Sequence, residues 1–462
     1  MDYGLLSVLP AVVAIAIALI YKDVFVALIV SLLLGNIIVA DFSIFQGLQG
    51  TLTGYISVFG NKSNTTVLII LLMLGGLLSV IDKSGGIEGF INELLKKKGL
   101  IKNKKAANLF TWIIGMLVFT SGTLSILIAG AITRPINDAL KNAPEKAAFI
   151  VHSTSGPVAM LIPLSLYAPF LIGLIEGNGV ENGPTILIQS IPFNFYCIAA
   201  IFGVLALILS GKDFGPMKKV EAKSSTLVFE EINMPEKSET NDGTGKASYL
   251  IVPMILIVVV VIGYMLITGN GNILKGDGYG GMFFAVLSGL LYITAALMKD
   301  KVHSFSKIRD IFFKGCGGVL FITAILTLAF SLGSLLKVLG TGSYLSSVFT
   351  SMLSPGLLPA ILFFTACIIS FATGTSAGCI AVMMPIGIPM AVSMGVSIPL
   401  VVGAIAGGGI FGDHSSPISD TTVLSCSSTG CGVIEHVKTQ LPYTLTFAGI
   451  STVLYLLLGF IL

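Results

Sequence analysis

The sequence predicts an all-α polytopic membrane protein made of two inverted-topology repeats, each with about five spans and one re-entrant helical hairpin. The 462-residue chain is 54% hydrophobic and only 11% charged, whereas a soluble domain carries about 25% charged residues. Long, nearly uncharged segments recur along it, and about 20 apolar residues suffice to cross the hydrocarbon core of a membrane. We therefore expect the lipid bilayer to be the main surrounding of this chain.

The positive charges predict how the chain is oriented. Most of the 26 Lys and Arg residues fall into four clusters, at 96–105, 134–146, 212–246 and 299–314. By the positive-inside rule these clusters lie in the cytoplasm. Residues 212–247 are hydrophilic, of mixed charge and without apolar periodicity. We expect them to form a cytoplasmic linker between transmembrane repeats at 1–211 and 248–462 of a multi-pass cell-membrane protein.

Each repeat is expected to contain a helical hairpin that enters the membrane and returns to the same side. Residues 106–131 are uncharged but have basic flanks, so a single crossing would violate the charge rule. This hairpin breaks at Thr120-Ser121-Gly122-Thr123. Residues 355–390 break similarly at Thr373-Gly374-Thr375. Five crossings accompany each hairpin, and because five is odd, the second repeat is inverted relative to the first.

A broken helix is expected after each hairpin. In the first repeat, residues 152–157 and two further prolines interrupt the span at 147–175. In the second, residues 407–425 contain three consecutive glycines and Pro417, and glycine costs about 1 and proline about 3 kcal/mol in a helix interior. A broken backbone rich in oxygen ligands suits a small hard cation.

Two carboxylates lie in this second break, and Asp420 is the stronger candidate from the sequence alone. A buried charge at membrane depth costs about 2.5–3.5 kcal/mol, so it needs a cationic partner, which Na⁺ or a proton would supply. The sequence predicts that Asp420→Asn abolishes coupled transport without impairing folding. Asp413 is the alternative, although it could instead cap the helix that resumes near Ser415.

The remaining polar residues in the breaks are candidates for binding a substrate. His152 and His414 lie at nearly matching positions of the two repeats, and imidazole can carry protons, bond a substrate or simply pack. The hydroxyls could ligate an ion or a carboxylate group, or could serve only to let helices pack closely. The full set of substrate candidates is Thr120, Ser121, Thr123, His152, Ser153, Thr373, Thr375, Ser376 and His414.

No cofactor is expected beyond Na⁺ and/or H⁺ as coupling ions. The six cysteines show no disulfide framework. Cys426 and Cys431 precede His436, but their spacing matches no standard zinc site, so the sequence predicts no metal there. There is no nucleotide-binding Gly-x-x-x-x-Gly-Lys-Ser/Thr loop, and we expect no nucleic-acid partner.

Residues 412–422, Gly-Asp-His-Ser-Ser-Pro-Ile-Ser-Asp-Thr-Thr, resemble the signature of the NhaC-type sodium/proton antiporter family. The resemblance extends to Thr373-Gly374-Thr375, to Arg134-Pro135 with Asp138, and to Glu145-Lys146. It implies a secondary carrier with ion-binding roles for Asp413, Ser416, Ser419, Asp420 and Thr421. Many members carry aspartates at the first hairpin break and at the position of His152. This chain has neutral hydroxyls in that hairpin, and these fit a substrate carboxylate better than a second cation.

The leading prediction is a sodium/proton antiporter that works by alternating access, with an elevator motion and a homodimeric scaffold. A sodium- or proton-coupled carrier of a small amino acid or carboxylate is the close alternative. An ion channel is less consistent with the sequence, which lacks a repeated filter segment. An intramembrane enzyme would need a nucleophile–base pair or metal cluster, and we expect no enzymatic activity.

The inverted arrangement predicts the side of the membrane on which two loops lie. In single-cysteine variants, a label that cannot cross the membrane should reach Ser225→Cys from the cytoplasm and Val180→Cys from outside. Reaction of both positions from one side would contradict the inverted topology.

Overall fold

The computed structural model describes residues 3–86, 89, 103–117, 119, 122–224, 245–272, 276–342, 344 and 354–461. Within these ranges the regular secondary structure is entirely helical. In the first half the helices are α1 (Leu9–Tyr21), α2 (Val24–Val39), α3 (Ile44–Gly60), α4 (Lys62–Lys83), α5 (Lys104–Leu117), α6 (Gly122–Ala139), α7 (Pro144–Leu161), α8 (Tyr167–Gly177), α9 (Gly183–Ser190), α10 (Phe195–Ser210) and α11 (Gly215–Ser224).

In the second half the helices are α12 (Ser248–Thr268), α13 (Gly278–Lys299), α14 (Phe305–Gly318), α15 (Leu320–Val338), α16 (Leu358–Thr373), α17 (Ser376–Met394), α18 (Ile398–Ser415), α19 (Asp420–Thr429) and α20 (Val433–Gly459). Seven of the described helices are long and apolar enough to cross a membrane, or eight if α9 and α10 form one bent span. The prediction of an all-α polytopic membrane protein is confirmed.

Local sequence signals explain where many helices begin and end. Asp23 and Asn61 accept hydrogen bonds from the backbone N–H three residues later and so cap α2 and α4. Gly211 and Gly395 adopt left-handed conformations, with φ of 63° and 67°, at the ends of α10 and α17. A residue with a Cβ would be strained there, so glycine ends both helices.

The order of elements is similar in the two halves. An apolar pair (α1–α2, α12–α13) is followed by an amphipathic helix (α3, α14), a long helix (α4, α15), a helical pair (α5–α6, α16–α17) and a broken helix (α7–α8, α18–α19). The amphipathic helices were not predicted, because their apolar residues recur every three or four positions instead of forming a continuous run. The two halves also interlock, since Phe312 of α14 packs on Gly76 of α4.

The second hairpin breaks where the sequence predicted. α16 ends at Thr373, and Gly374 adopts a left-handed conformation with φ of 68°, so that α17 can begin at Ser376 with Thr375 as its N-cap. The first hairpin comprises α5 and α6. Two of its predicted tip residues, Thr120 and Ser121, lie outside the described residues.

In both broken helices, the first segment continues past the point where the sequence predicted the break to begin. Residues 152–157 do not interrupt α7, which continues to Leu161, and the break falls at 162–166. Pro157 removes one backbone hydrogen bond, but α7 is buried from Lys146 to Met160, and this packing outweighs the loss. In the second half, Gly407–Gly409 lie inside α18, and the break is confined to 416–419 around Pro417.

The glycines of α18 serve close packing instead of breaking the helix. A Cβ on Gly408 would lie 2.6 Å from the carbonyl oxygen of Phe363, and one on Gly412 would collide with the backbone of Ser370 and Phe371. All three contacted residues belong to α16. The absence of side chains therefore lets α18 lie directly against the second hairpin.

A buried ion pair joins the start of α7 to the segment before α11. The Lys146 and Asp213 side chains are only 3% and 15% exposed and form a short hydrogen-bonded pair. Tyr443 of α20 donates to the same Asp213 oxygen at 2.9 Å. Lys146 Nζ also lies 5.8 Å from the centre of the Phe149 ring. Three segments distant in sequence are thus joined at one charge pair.

Breaking this pair should destabilise the protein strongly. In Asp213→Asn the Lys146 charge stays buried without its counter-charge, a change that costs about 3–5 kcal/mol. We expect a clear fall in the thermal unfolding temperature of the detergent-solubilised protein, and partial recovery in the double variant Lys146→Met/Asp213→Leu. The matched control is Asp310→Asn in the exposed pair with Arg309, which should leave the temperature unchanged. Equal changes in the unfolding temperature of Asp213→Asn and Asp310→Asn would contradict the stabilising role assigned to the buried pair.

Candidate ion site

Asp413 is a buried carboxylate of the second broken helix, and hydroxyl groups of the protein hydrogen-bond to it. Its side chain lies in the last turn of α18 and is 4% exposed. One oxygen, Oδ1, accepts hydrogen bonds from Ser419 Oγ at 2.5 Å and from Thr421 Oγ1 at 3.0 Å. The other, Oδ2, accepts from Ser376 Oγ at 3.2 Å. Three hydroxyls from separate elements therefore surround one carboxylate.

The local backbone explains why these hydroxyls converge. Ser419 is the N-cap of α19, where its Oγ accepts a hydrogen bond from the Thr421 N–H at 3.2 Å. Ser376 is the first residue of α17, immediately after the hairpin tip, and its hydroxyl also bonds Tyr167 Oη of α8 at 2.8 Å. The Ser416 side chain accepts from the Ile418 N–H at 3.4 Å. Ser416 therefore shapes the break and does not contact the Asp413 carboxylate.

The burial expected at Asp420 is not found. Asp420 is the first residue of α19 and is exposed, with its Oδ1 accepting from the Thr421 N–H at 2.9 Å. Asp413 lies inside α18, so it does not cap the following helix. The carboxylate that the fold removes from solvent is Asp413. An acidic residue at a helix N-terminus, as Asp420 is, interacts favourably with the helix dipole without being buried.

Among the described residues, no Lys, Arg or His forms an ion pair with the Asp413 carboxylate. Every Lys or Arg ion pair that the described residues form involves a different carboxylate. The Arg134–Asp138 pair, for example, is 3.6 Å long and about half exposed. A buried carboxylate without a protein counter-charge is stable when protonated or when it binds a cation. The hydroxyl oxygens around Asp413 are suitable ligands for a hard cation.

A series of hydrogen bonds leads from Asp413 to His152 in the first half of the protein and on to His436. Thr421 Oγ1 lies 3.0 Å from His152 Nε2, and His152 Nδ1 lies 3.1 Å from His436 Nε2. Gln440 Nε2 lies 3.2 Å from His152 Nδ1 and donates to the His414 carbonyl at 2.7 Å. His152, predicted from the sequence, is therefore brought to the site. His436 and Gln440 were missed as site residues because they lie inside α20 with no break beside them.

The side chains of His152 and His414 lie side by side. Their ring centres are 4.6 Å apart, and both rings are fully buried. His414 Nδ1 lies 3.3 Å from Tyr196 Oη, while its Nε2 has no hydrogen-bond partner in the described part of the chain. The Oγ of Ser153 is also buried and has no partner there. These two groups remain candidates for contact with a bound solute.

Two of the predicted substrate hydroxyls are engaged within their own helices. Thr373 Oγ1 donates to the Ile369 carbonyl at 2.9 Å, and Thr375 Oγ1 accepts from the Gly378 N–H at 3.4 Å. Thr123 is half-buried in the first turn of α6. Ser376, by contrast, bonds directly to Asp413. The structure thus links Ser376 with the carboxylate.

A second group of polar side chains lies at the His436 end of this series of hydrogen bonds. One ligand atom each from Cys426, Cys431 and His436 lies within 4.8 Å of the other two. The spacing of these residues had predicted no metal site, because it matches none of the standard patterns. The folded chain nevertheless brings the three donors together.

The chain is similar to known membrane transporters. A model of the Na⁺/H⁺ antiporter family matches residues 160–460. An uncharacterized protein of Haemophilus influenzae is 28% identical over 98% of this chain and 91% of its own length. The malate-2H⁺/Na⁺-lactate antiporter of Bacillus subtilis is 38% identical over 20% of each chain.

A solved structure has a similar fold. It is that of MtrF from Neisseria gonorrhoeae, a protein that illustrates a class of antimetabolite efflux pumps. The match has a TM-score of 0.59 and 16% identity, and it covers 90% of this chain and 85% of that one. At this identity the similarity concerns the fold alone.

Proposed function

Because the chain belongs to the Na⁺/H⁺ antiporter family, we propose that it is a secondary transporter in which Na⁺ and H⁺ compete for Asp413. The proposal rests on one observation above all, a buried carboxylate that three hydroxyls bond and that forms no ion pair within the described part of the chain. When Na⁺ is absent, a proton neutralises the carboxylate. When Na⁺ binds, the hydroxyls turn their oxygen lone pairs toward the ion and the proton leaves.

Competition at one carboxylate is sufficient to couple the two fluxes. Asp413 crosses between the two sides neutralised by either cation, since moving it without one would expose a bare charge to a low dielectric. Ser376, Ser419 and Thr421 supply the oxygens that replace the hydration shell of Na⁺. The exposed Asp420 is proposed as an approach residue that raises the local cation concentration beside the break.

The wider architecture is proposed by the same reasoning. The two halves are related by inverted topology, with domains at 1–211 and 248–462 and a cytoplasmic linker at 212–247 in the cell membrane. The hairpins and broken helices, which contain the site, would move as an elevator past a scaffold of α1–α4 and α12–α15 in a homodimer. The recurring order of elements supports this division. The hydrogen bond from Ser376 of the second hairpin to Asp413 of the broken helix also supports it.

A sodium- or proton-coupled carrier of a small carboxylate is the second candidate. It is favoured by two buried polar groups that no atom of the described residues satisfies, Ser153 Oγ and His414 Nε2. Such groups cost roughly 1–3 kcal/mol each when left unpaired, so a bound solute or water would compensate them. The curated Bacillus subtilis relative, named as a malate and lactate antiporter, agrees with this class of substrate. Sodium-driven uptake of carboxylates or amino acids into liposomes would distinguish it from simple ion exchange.

Neutralising Asp413 should abolish exchange, whereas neutralising Asp420 should only weaken it. In liposomes containing a pH-sensitive dye, an inward Na⁺ gradient should alkalinise the lumen with wild-type protein and leave it unchanged with Asp413→Asn. Asp420→Asn should retain exchange with an Na⁺ half-saturation concentration raised a few-fold, because exposed charges interact weakly. The opposite ranking of the two variants would restore Asp420 as the principal ligand and contradict the proposal.

The Thr421 hydroxyl should contribute directly to Na⁺ affinity. Thr421→Val keeps the volume and shape of the side chain but removes the hydroxyl that bonds both Asp413 and His152. A hydrogen bond to a charged group contributes about 1.5–3 kcal/mol, so we expect the Na⁺ half-saturation concentration to rise roughly tenfold or more. Thr446→Val is the matched control, since that exposed hydroxyl bonds only the Pro442 carbonyl. Unchanged Na⁺ affinity in Thr421→Val would remove this residue from the site.

A further inference from the structure

We propose that Cys426, Cys431 and His436 form a binding site for a borderline-soft divalent cation of the Zn²⁺ class. One ligand atom of each residue lies within 4.8 Å of the others. Thiolate and imidazole are the donors that Zn²⁺ prefers, at distances of about 2.3 and 2.0–2.1 Å in tetrahedral geometry. Such bonds place the donor atoms about 3.6–3.8 Å apart, so a small closure of the side chains would complete the site.

The turn between α19 and α20 creates this arrangement. Gly430 adopts a left-handed conformation with φ of 83°, and the Cys431 N–H returns to the Cys426 carbonyl at 3.1 Å. The chain then enters α20, where the His436 N–H bonds the Gly432 carbonyl at 2.9 Å. Cys431 is thereby folded back over Cys426, one turn below His436. Cys426, Cys431 and His436 are spaced five residues apart in sequence, and this turn brings them together in the folded chain.

The hydrogen-bonding state of the donors leaves them available to a metal. His436 is fully buried, and its Nδ1 has no hydrogen-bond partner among the described residues, although its Nε2 lies 3.1 Å from His152 Nδ1. Cys426 Sγ makes a long contact of 3.8 Å to the Gly432 carbonyl, Cys431 Sγ makes one of 3.7 Å to Thr429 Oγ1, and the two thiols hydrogen-bond each other. A purely structural histidine would more often have both nitrogens satisfied.

The surroundings of His436 have the form that metal-binding histidines usually show. A metal-bound histidine donates its other ring N–H to a neighbouring acceptor, which fixes its tautomer. With a metal on His436 Nδ1, its Nε2–H donates to His152 Nδ1 and the His152 Nε2–H donates to Thr421 Oγ1. Thr421 Oγ1 in turn donates to Asp413 Oδ1. Metal binding would therefore orient all three hydrogen bonds between His436 and Asp413 in the same direction, with each hydrogen atom donated toward Asp413.

Access and charge also suit a cation at this place. Cys431 is partly exposed, so an ion can reach the cluster, whereas Cys426 is 2% exposed. The charged groups that act electrostatically on these cysteines are the carboxylates of Glu145 and Glu435, and negative charge near the cluster favours a bound cation. Two thiolates and a divalent ion are neutral together, and in the described residues the cluster supplies three ligands, leaving a fourth position open to water.

The test is a zinc titration of the purified full-length protein in detergent, read by competition with a chromophoric chelator. Wild type should bind about one Zn²⁺ per chain, and Cys431→Ser and His436→Gln should bind it at least about tenfold more weakly. Cys316→Ser, which removes a partly exposed cysteine of α14, is the matched control and should bind like wild type. Equal Zn²⁺ affinity in wild type and Cys431→Ser would overturn the proposal.

A second measurement on the wild-type protein keeps the proposal testable if a variant fails to fold. Zn²⁺, but not Mg²⁺, should protect Cys426 and Cys431 from alkylation, as mapped by mass spectrometry. Alkylation unaffected by Zn²⁺ would contradict the site, and so would two cysteines that react only after a reductant is added, since that indicates a disulfide. Neither readout involves transport, so a negative result here does not bear on cation exchange at Asp413.

Discussion

The structure depends on one constraint, the burial of the Asp413 carboxylate without an ion-pair partner among the residues that the structure describes. An unpaired charge in a low-dielectric interior is costly, and here three hydroxyls reduce that cost. Each hydroxyl comes from a different element: Ser376 from the hairpin tip, Ser419 from the break and Thr421 from the helix that follows. The site therefore exists only when the hairpin and the broken helix are packed together. Its remaining need for positive charge is what makes cation binding at this position favourable.

Backbone features bring these groups to one point. Gly374 permits the tight hairpin turn that presents Ser376, and the break at 416–419 allows Ser419 to cap the following helix. Gly408 and Gly412 let α18 approach α16 closely enough for Asp413 to reach the hairpin. The histidines extend this arrangement, because His152 connects Thr421 to α20. Small residues, left-handed glycines and caps thus determine where the polar atoms lie.

The comparison of sequence and structure shows which features local patterns can predict. The apolar spans and the break at Gly374 follow from composition and helix propensity, which act locally. The burial of Asp413 in place of Asp420 does not, because burial depends on how α18 packs against α16. Gln440, and the hydrogen bond of His436 to His152, were missed for the same reason: these contacts join segments that are distant in sequence. The glycines of α18 misled the prediction, since glycine can serve helix packing as well as helix breaking.

The most direct test of the central claim is to count the protons released when Na⁺ binds to the purified protein. Calorimetric titrations in two buffers of different ionisation enthalpy would separate proton release from the binding heat. Competition at Asp413 predicts that Na⁺ binding releases protons from wild-type protein, that the release diminishes at alkaline pH, and that Asp413→Asn binds Na⁺ weakly with no release. Tight Na⁺ binding to wild type at acidic pH without proton release would contradict the account.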